Sequence, residues 1–304
     1  MYDKDDNTET VGFLGSVGED AFGETYQTML EMEGIIPFFE TIPGDTTGIC
    51  LVISHKRDRA HITELGASTK ISNEYFKRVE QYFINVKLIF TELYILPDQK
   101  QLSFALAELG LSNEKVYGFN LPSREFFKKY MQDIIEMISY ADIVFANYDE
   151  AIDFCTHFGL SNQHSLDVII KQLVSLPKKN VNKNRVFVIT AGKDPAWVCE
   201  YDFVNKNVVE CFSTDVAFVP EDKIVHTNGA GDSFAGGFLS QYMKKRSLSE
   251  CMKAGHWAAS VIIQQYGFVI PRDIKYDYNQ QQQQQQNYKG LDGSFSSEDV
   301  SGES

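Results

Sequence analysis

The chain has 304 residues, of which 43% are hydrophobic and 23% are charged, and its net charge is −14 at pH 7. This length and composition fit one large globular domain. The acidic balance opposes binding to a nucleic-acid backbone, and no stretch approaches the roughly 20 apolar residues that cross a bilayer. We therefore expect neither nucleic acid nor a membrane as a partner.

The two ends of the chain and its cysteines indicate the compartment. Residues 1–10 are acidic and polar, unlike a signal or transit peptide, so we expect the cytosol, with the nucleus as a second compartment. Residues 276–304 include seven consecutive glutamines and are predicted to be disordered. The cysteines are spaced singly and are expected to be reduced and buried. They are Cys50, Cys155, Cys199, Cys211 and Cys251.

The body, residues 11–275, alternates between helical and strand-like spacing of apolar residues. Residues 19–33 have helical spacing, and the segments 47–54 and 59–65 predict a β hairpin around a polar turn. The strands predicted beyond it are 86–91, 115–120, 142–147 and 185–190. The predicted helices are 98–110, 124–139, 148–158, 165–176, 231–244 and 248–265. Strands that alternate with helices predict an α/β fold with a mostly parallel sheet between two helical layers.

A Gly-rich stretch, Asn-Gly-Ala-Gly-Asp at residues 228–232, lies where a polar segment passes into a predicted helix. Glycine leaves backbone N–H groups unobstructed, and the N-terminus of a helix favours anions. Asp232 beside such a cradle is suited to accept a proton from a hydroxyl while the amides neutralise a transferring phosphoryl group. The alternative is a Gly-rich turn in which Asp232 only caps the helix.

Several segments resemble, in order and spacing, the ribokinase-like (PfkB) family of carbohydrate and nucleoside kinases over residues 11–272. The segments are 12–23, 47–50, 142–151, 227–241 and 254–263. In detail they are more similar to adenosine kinases than to ribokinases. The resemblance implies a ribokinase-like three-layer α/β/α fold with a small β lid at 47–66. It also implies ATP as co-substrate, Mg²⁺ as cofactor and a monomer.

The same resemblance implies a role for each candidate site residue. Asp232 is the expected catalytic base for a ribose 5′-hydroxyl. The expected anion hole is Gly229, Ala230 and Gly231, and the expected ATP-binding residues are Thr190, Gly192, Asn228, His256 and Ala259. The expected residues of the substrate side and lid are Arg59, Leu93 and Tyr94. Asn147 and Glu150 match an Asn-x-x-Glu element that is linked to Mg²⁺ through water.

Five of these residues have a plainer structural alternative. Glu150 is also suited to cap a helix, and Arg59 to lie solvated in the hairpin. His256 lies on an apolar helix face, where a packed core histidine is common. Leu93 and Tyr94 are apolar enough to belong to the core.

The chain departs from the family pattern in two ways. It begins close to the strand at Gly12, without the family's first strand and a Gly-Gly motif of the nucleoside side, so we expect a truncated sequence. A sheet that lacks a central strand is expected to leave backbone groups unpaired and apolar helix faces exposed. His226 and Tyr148 stand where the family has an Asp and a Glu, which weakens the support for a metal ion.

We therefore expect ATP-dependent phosphorylation of adenosine at its 5′-hydroxyl to give AMP, a step of purine salvage. One alternative is another ribokinase-like kinase of a sugar or nucleoside. The other is a catalytically impaired nucleotide-binding relative, for which His226 and Tyr148 are the support.

Overall fold

The strands and helices follow the predicted alternation. The strands are β1 (Val11–Gly18), β2 (Ile35–Ile42), β3 (Ile49–His55), β4 (Asp58–Glu64), β5 (Leu88–Glu92), β6 (Val116–Asn120), β7 (Ile143–Asn147), β8 (Arg185–Ala191), β9 (Asp194–Asp202) and β10 (Asn207–Thr214). The helices are α1 (Ala21–Met32), α2 (Asn73–Val79), α3 (Lys100–Leu109), α4 (Arg124–Tyr140), α5 (Tyr148–Phe158), α6 (Leu166–Val174), α7 (Ala230–Tyr242) and α8 (Leu248–Ile262).

This computed structural model describes residues 11–55, 58–112, 114–160, 165–267, 271 and 274–277, with the backbone alone for residues 54, 55, 58 and 59. The acidic segment 1–10 and the predicted disordered tail beyond residue 277 lie outside the described residues. None of the described helices is both long enough and apolar enough to cross a membrane.

A six-stranded sheet in the order β10-β9-β8-β7-β6-β5 forms the middle layer. Strands β5 to β8 are parallel, and β9 and β10 continue the sheet antiparallel. Side chains alternate between its faces: Val144 and Ala146 pack under α3–α6, whereas Ile143 and Phe145 pack under α7 and α8. The predicted three-layer α/β/α fold with a mostly parallel sheet is confirmed.

Five elements were not predicted from the sequence: β1 in its full length, β2, α2, β9 and β10. Strand β10 has mainly exposed or half-buried residues, because it is the edge of the sheet, so it lacks the apolar run of a central strand. Strand β9 begins and ends with Asp and carries Pro195 near its start. These residues are unusual in a central strand, so its short apolar middle did not predict a strand. The predicted strands and helices differ from the observed bounds by only a few residues.

The N-terminal unit β1–α1–β2 and the hairpin β3–β4 stand apart from the main sheet. Within the part of the chain that the structure describes, β1 and β2 pair in parallel with each other only, and β3 pairs only with β4. Helix α1 exposes large apolar side chains, with 63% of Phe22, 58% of Met29 and 63% of Met32 accessible to solvent. The expected exposed apolar helix face is therefore observed.

A buried charge cluster holds the amino-terminal ends of β7 and β8. The guanidinium of Arg185 is fully buried and donates to the carbonyl oxygens of residues 138, 141, 174, 176 and 177, which end α4 and α6. The Asp142 carboxylate accepts from Lys178 at 2.6 Å and also pairs with Lys183. Burial lowers the pKa of Lys178 to about 8. These bonds fix the strands at the end opposite to their carboxyl ends.

Candidate active site

The Gly-rich stretch forms the start of α7. Gly229 is the residue before the helix and has φ of 71°, a left-handed conformation that favours glycine. Asp232 therefore lies within the first turn rather than at the cap, and its side chain is exposed. A side chain at Gly231 would meet no atom within 4 Å. The space beside the first turn of α7 is therefore open at Gly231, as an anion site at this helix start requires.

The carboxyl ends of the parallel strands carry a row of polar residues. Glu92 ends β5 opposite Asn120 of β6, and Asn147 ends β7 opposite Thr190 of β8. The amide of Asn120 donates to the Glu92 carboxylate at 2.6 Å. Ligands of open α/β sheets bind outside these carboxyl ends. The predicted residues Asn147 and Thr190 therefore lie where the fold places a ligand.

Asn147 and Glu150 form a reciprocal helix cap. The Asn147 side-chain oxygen accepts from the Glu150 N–H at 2.8 Å, and the Glu150 carboxylate accepts from the Asn147 N–H at 2.8 Å. Glu150 therefore caps helix α5, as the structural alternative for this residue predicted. Burial raises the pKa of Glu150, and the negative charges of Asp149 and Asp232 raise it further. The capping carboxylate therefore also lies within electrostatic range of Asp232.

Glu92 is a site residue that the sequence did not reveal. Burial raises the pKa of its carboxyl group to about 7, the charge of Asp232 adds to the rise, and the Asn120 hydrogen bond opposes it. Although protein atoms crowd this carboxyl group, the residue stays accessible to solvent, which screens its charge. A carboxylate directly after the predicted parallel strand 86–91 was the available signal. Glu92, Glu150 and Asp232 thus form one acidic group.

A cavity of about 530 Å³ adjoins this row on the β8–β9 side. It brings together the predicted residues Asn147, Thr190 and Gly192. Its wall also contains Trp197 of β9 and Ser213 of β10, which are register partners and were not predicted. They were missed because β9 and β10 were missed.

His256 and Ala259 lie on α8, behind the start of α7. His256 is 7% exposed, its Nε2 lies 2.9 Å from the Thr214 hydroxyl oxygen, and its ring packs edge-on against Phe234 at 5.1 Å between centroids. Burial lowers the pKa of His256 to about 4. It is therefore a packed, neutral histidine near neutral pH. Ala259 is half-buried and packs against the same core.

The predicted substrate-side residues divide into buried and exposed ones. Leu93 is fully buried and packs in the core, whereas Tyr94 is 47% exposed and stacks edge-on with Phe126. The Tyr94 hydroxyl accepts the Ser123 N–H at 3.1 Å. Arg59 pairs with residue 54 in the hairpin, and its side chain lies outside the described part of the chain.

The remaining predicted residues flank the start of α7. Asn228 is buried and Ala230 is the first residue of the helix. His226 is half-buried, with its Nε2 at 3.2 Å from the Gly267 carbonyl oxygen. Tyr148 is 45% exposed and lies on the cavity wall. The two residues that depart from the family pattern are therefore close to the candidate site.

Fold and site together define a class of protein. A parallel α/β sheet whose carboxyl ends face a glycine-initiated helix and several carboxylates is suited to phosphoryl transfer. The sequence profile described as pfkB family carbohydrate kinase matches residues 8–275. The chain belongs to this pfkB family of carbohydrate kinases.

Its relatives include adenosine kinases. Adenosine kinase 2 of Arabidopsis thaliana is 33% identical over 276 residues, which cover 88% of this chain and 75% of that protein. Adenosine kinase of Dictyostelium discoideum is 28% identical, over 86% of this chain and 75% of that protein. The chain thus spans about three quarters of the length of these relatives.

Solved structures of adenosine kinases share the fold. The Anopheles gambiae enzyme in complex with P1,P4-di(adenosine-5) tetraphosphate matches with a TM-score of 0.80 at 25% identity, over 87% of this chain and 76% of that chain. The Schistosoma mansoni enzyme in complex with 2-fluoroadenosine matches with a TM-score of 0.78 at 26% identity, over 86% of this chain and 75% of that chain. Both were solved with an adenosine-like ligand.

Proposed function

We propose that this chain transfers the γ-phosphoryl group of ATP to the 5′-hydroxyl of adenosine, giving AMP and ADP. The observation that carries the proposal is the exposed Asp232 in the first turn of α7, directly after Gly231, which borders open space. The adenosine kinases among the relatives support adenosine as the acceptor. The ligands named with the two solved enzymes support an adenosine nucleotide and an adenosine-like nucleoside.

In this proposal Asp232 takes the proton of the attacking hydroxyl group. The N–H groups at Gly229, Ala230 and Gly231 bind the oxygens of the transferring phosphoryl group, where negative charge develops. Thr190 and Gly192 hold the nucleotide on the cavity side of the strand ends. The helix N-terminus adds its partial positive charge.

The acidic group around Asp232 fits a cation that arrives with the nucleotide. Glu92 and Glu150 have raised pKa values partly because of the negative charge of Asp232, and a cation would relieve that repulsion. Among the described residues, no three His, Cys, Asp or Glu side chains are arranged to hold a metal ion. Mg²⁺ commonly combines few carboxylates with phosphates and water. We propose that Asn147 and Glu150 contact its water shell, and that Mg²⁺ supplies neutralisation of phosphate charge.

The cellular location and the oligomeric state of the protein are also proposals. We propose a cytosolic monomer, with the nucleus as a second compartment.

The test is to incubate the purified chain with Mg-ATP and either adenosine or ribose. We expect AMP and ADP to appear in equal amounts with adenosine, and at least about tenfold less ADP with ribose, since one well-fitted base contributes over 1.4 kcal/mol. ADP formation with ribose alone would overturn adenosine as the acceptor. Nucleotide binding without any turnover would instead favour the catalytically impaired relative.

A further inference from the structure

Two cysteines face each other across neighbouring strands. Cys199 on β9 and Cys211 on β10 are direct register partners. Directly opposed residues of antiparallel strands have Cα atoms about 4.5–5.5 Å apart, which lies within the range of about 4.4–6.8 Å for disulfides. Each of the two thiols shifts the pKa of the other, as expected for near neighbours. The strand register therefore holds the two side chains at a separation that a disulfide can bridge.

The two thiols have different surroundings. Cys199 is buried, whereas Cys211 is half-buried on β10, the edge strand of the sheet. The neighbouring Cys199 thiol lowers the pKa of Cys211, and the Lys171 ammonium on α6 lowers it further against the opposing effect of burial. The neighbouring Cys211 thiol and burial raise the pKa of Cys199. Cys211 is thus the accessible thiol with more thiolate character, and thiolates are the reactive form.

We propose that Cys199 and Cys211 form a reversible disulfide when a hydroperoxide reaches Cys211. The Cys211 thiolate attacks one peroxide oxygen and the O–O bond breaks, so that Cys211 becomes a sulfenic acid; the other oxygen takes up the proton that the Cys211 thiol gave up and leaves as an alcohol, or as water when the oxidant is hydrogen peroxide. The Cys199 sulfur then attacks the Cys211 sulfur, the S–O bond breaks, and the hydroxyl group leaves as water with the proton of the Cys199 thiol. Two thiols are oxidised and one hydroperoxide is reduced.

The other cysteines lack this arrangement. Burial raises the pKa of Cys155 to about 11 and that of Cys251 to about 12, which keeps both as protonated thiols. Cys50 is exposed on β3, but its register partner is Thr63, whose hydroxyl donates to the Cys50 sulfur at 3.3 Å. Oxidation should therefore select the Cys199–Cys211 pair.

The pair lies next to the candidate nucleotide cavity. The adjacent register pair on the same face is Trp197 and Ser213, and both line that cavity. A bond between Cys199 and Cys211 would join β10 to β9 two residues along each strand from the cavity wall. The modification site therefore borders the cavity while the two sulfur atoms themselves pack beside the core under α6.

The test treats the folded, reduced chain with hydrogen peroxide, alkylates the remaining thiols after denaturation, and maps the tryptic peptides by mass spectrometry. Lys206 lies between the two cysteines, so cleavage there separates their peptides. We expect these peptides to be joined with the loss of two hydrogen atoms and to separate with dithiothreitol. Cys211 should lose its thiol at least about tenfold faster than Cys155 or Cys251.

Variants make the result decisive. In Cys199→Ala, Cys211 should accumulate as sulfenic and sulfinic acid, because no second thiol is opposite. Cys211→Ala should leave Cys199 as a free thiol, and the matched control Cys50→Ala should retain the linked peptides. Recovery of both Cys199 and Cys211 as alkylated thiols while Cys50 is oxidised would overturn the proposal. A link between Cys211 and Cys50 would overturn it as well.

Discussion

The start of α7 and the N-terminal unit β1–α1–β2 are built differently. Phe234 and Phe238 of helix α7 pack against the main sheet and are 3% and 0% exposed. Helix α1 leaves 63% of Phe22 and 58% of Met29 exposed, and the flanking strands β1 and β2 pair only with each other among the described residues. Positioned catalytic groups need rigid support. The difference shows that the phosphate side of the candidate site rests on the well-packed part of the molecule.

The largest expected effect is a contrast in stability between two phenylalanines. Phe238→Ala should lower the free energy of unfolding by about 3–5 kcal/mol, because it leaves a cavity in a fully buried position. Phe22→Ala should change it by about 0.5 kcal/mol or less, since that ring is mostly solvated. Urea unfolding of both variants measures the difference. Equal losses would remove the distinction between the two regions.

A smaller effect comes from His256, behind the start of α7. Its folded pKa of about 4 lies below its unfolded value of 6.5, so the unfolded state binds the proton first. Stability should therefore be complete above pH 6.5 and fall as the pH drops towards 4, by up to about 3 kcal/mol.

Unfolding of His256→Gln should lack this part of the pH dependence. His61→Gln is the control, because His61 is exposed on the hairpin. If all three proteins lose the same free energy between pH 6.5 and 4, His256 is not the residue responsible.

The smallest expected effect is a difference in the KM for ATP between a substitution at the start of α7 and one in the middle of the same helix. Gly231→Ala places a methyl group in open space, so stability should hold, while the KM for ATP should rise about fivefold, or roughly 1 kcal/mol, because the methyl crowds the N–H groups. Gly236→Ala is the matched control in the same helix, since an added Cβ there also meets nothing within 4 Å. Steady-state kinetics should show an unchanged KM for the control. An equal rise in both variants would point to the helix as a whole.

The fold was predictable where apolar runs are continuous. Strands β6, β7 and β8 start within one residue of the predicted positions, because their buried residues leave little room for polar ones. Strands β9 and β10 were not predicted, since an edge pair has mixed exposure. A capping role for Glu150 was one of two alternatives offered by the sequence, whereas the reciprocal cap that it forms with Asn147 became visible only in the structure.

The site was predictable only in part, because charge proximity depends on the assembled sheet. Asp232 could be singled out from the glycines before it, but the carboxylate of Glu92 is distant in sequence and comes near only through the order of the strands. Leu93 was expected on the substrate side and is fully buried, since the sequence does not tell which face of a short turn is inside. The proximity of Glu92 to Asp232 and the burial of Leu93 both depend on tertiary contacts, which the sequence does not show.

The most direct test of the central claim is the turnover of Asp232→Asn beside Asp222→Asn. Asp222 is an exposed carboxylate ten positions before Asp232, and its amide variant should keep the wild-type rate. Asp232→Asn should lose at least about 10³-fold in kcat for AMP formation, since general-base catalysis contributes about 10²–10⁴-fold, while ATP still binds. A kcat within tenfold of the wild type for Asp232→Asn would contradict the assignment of Asp232 as the base.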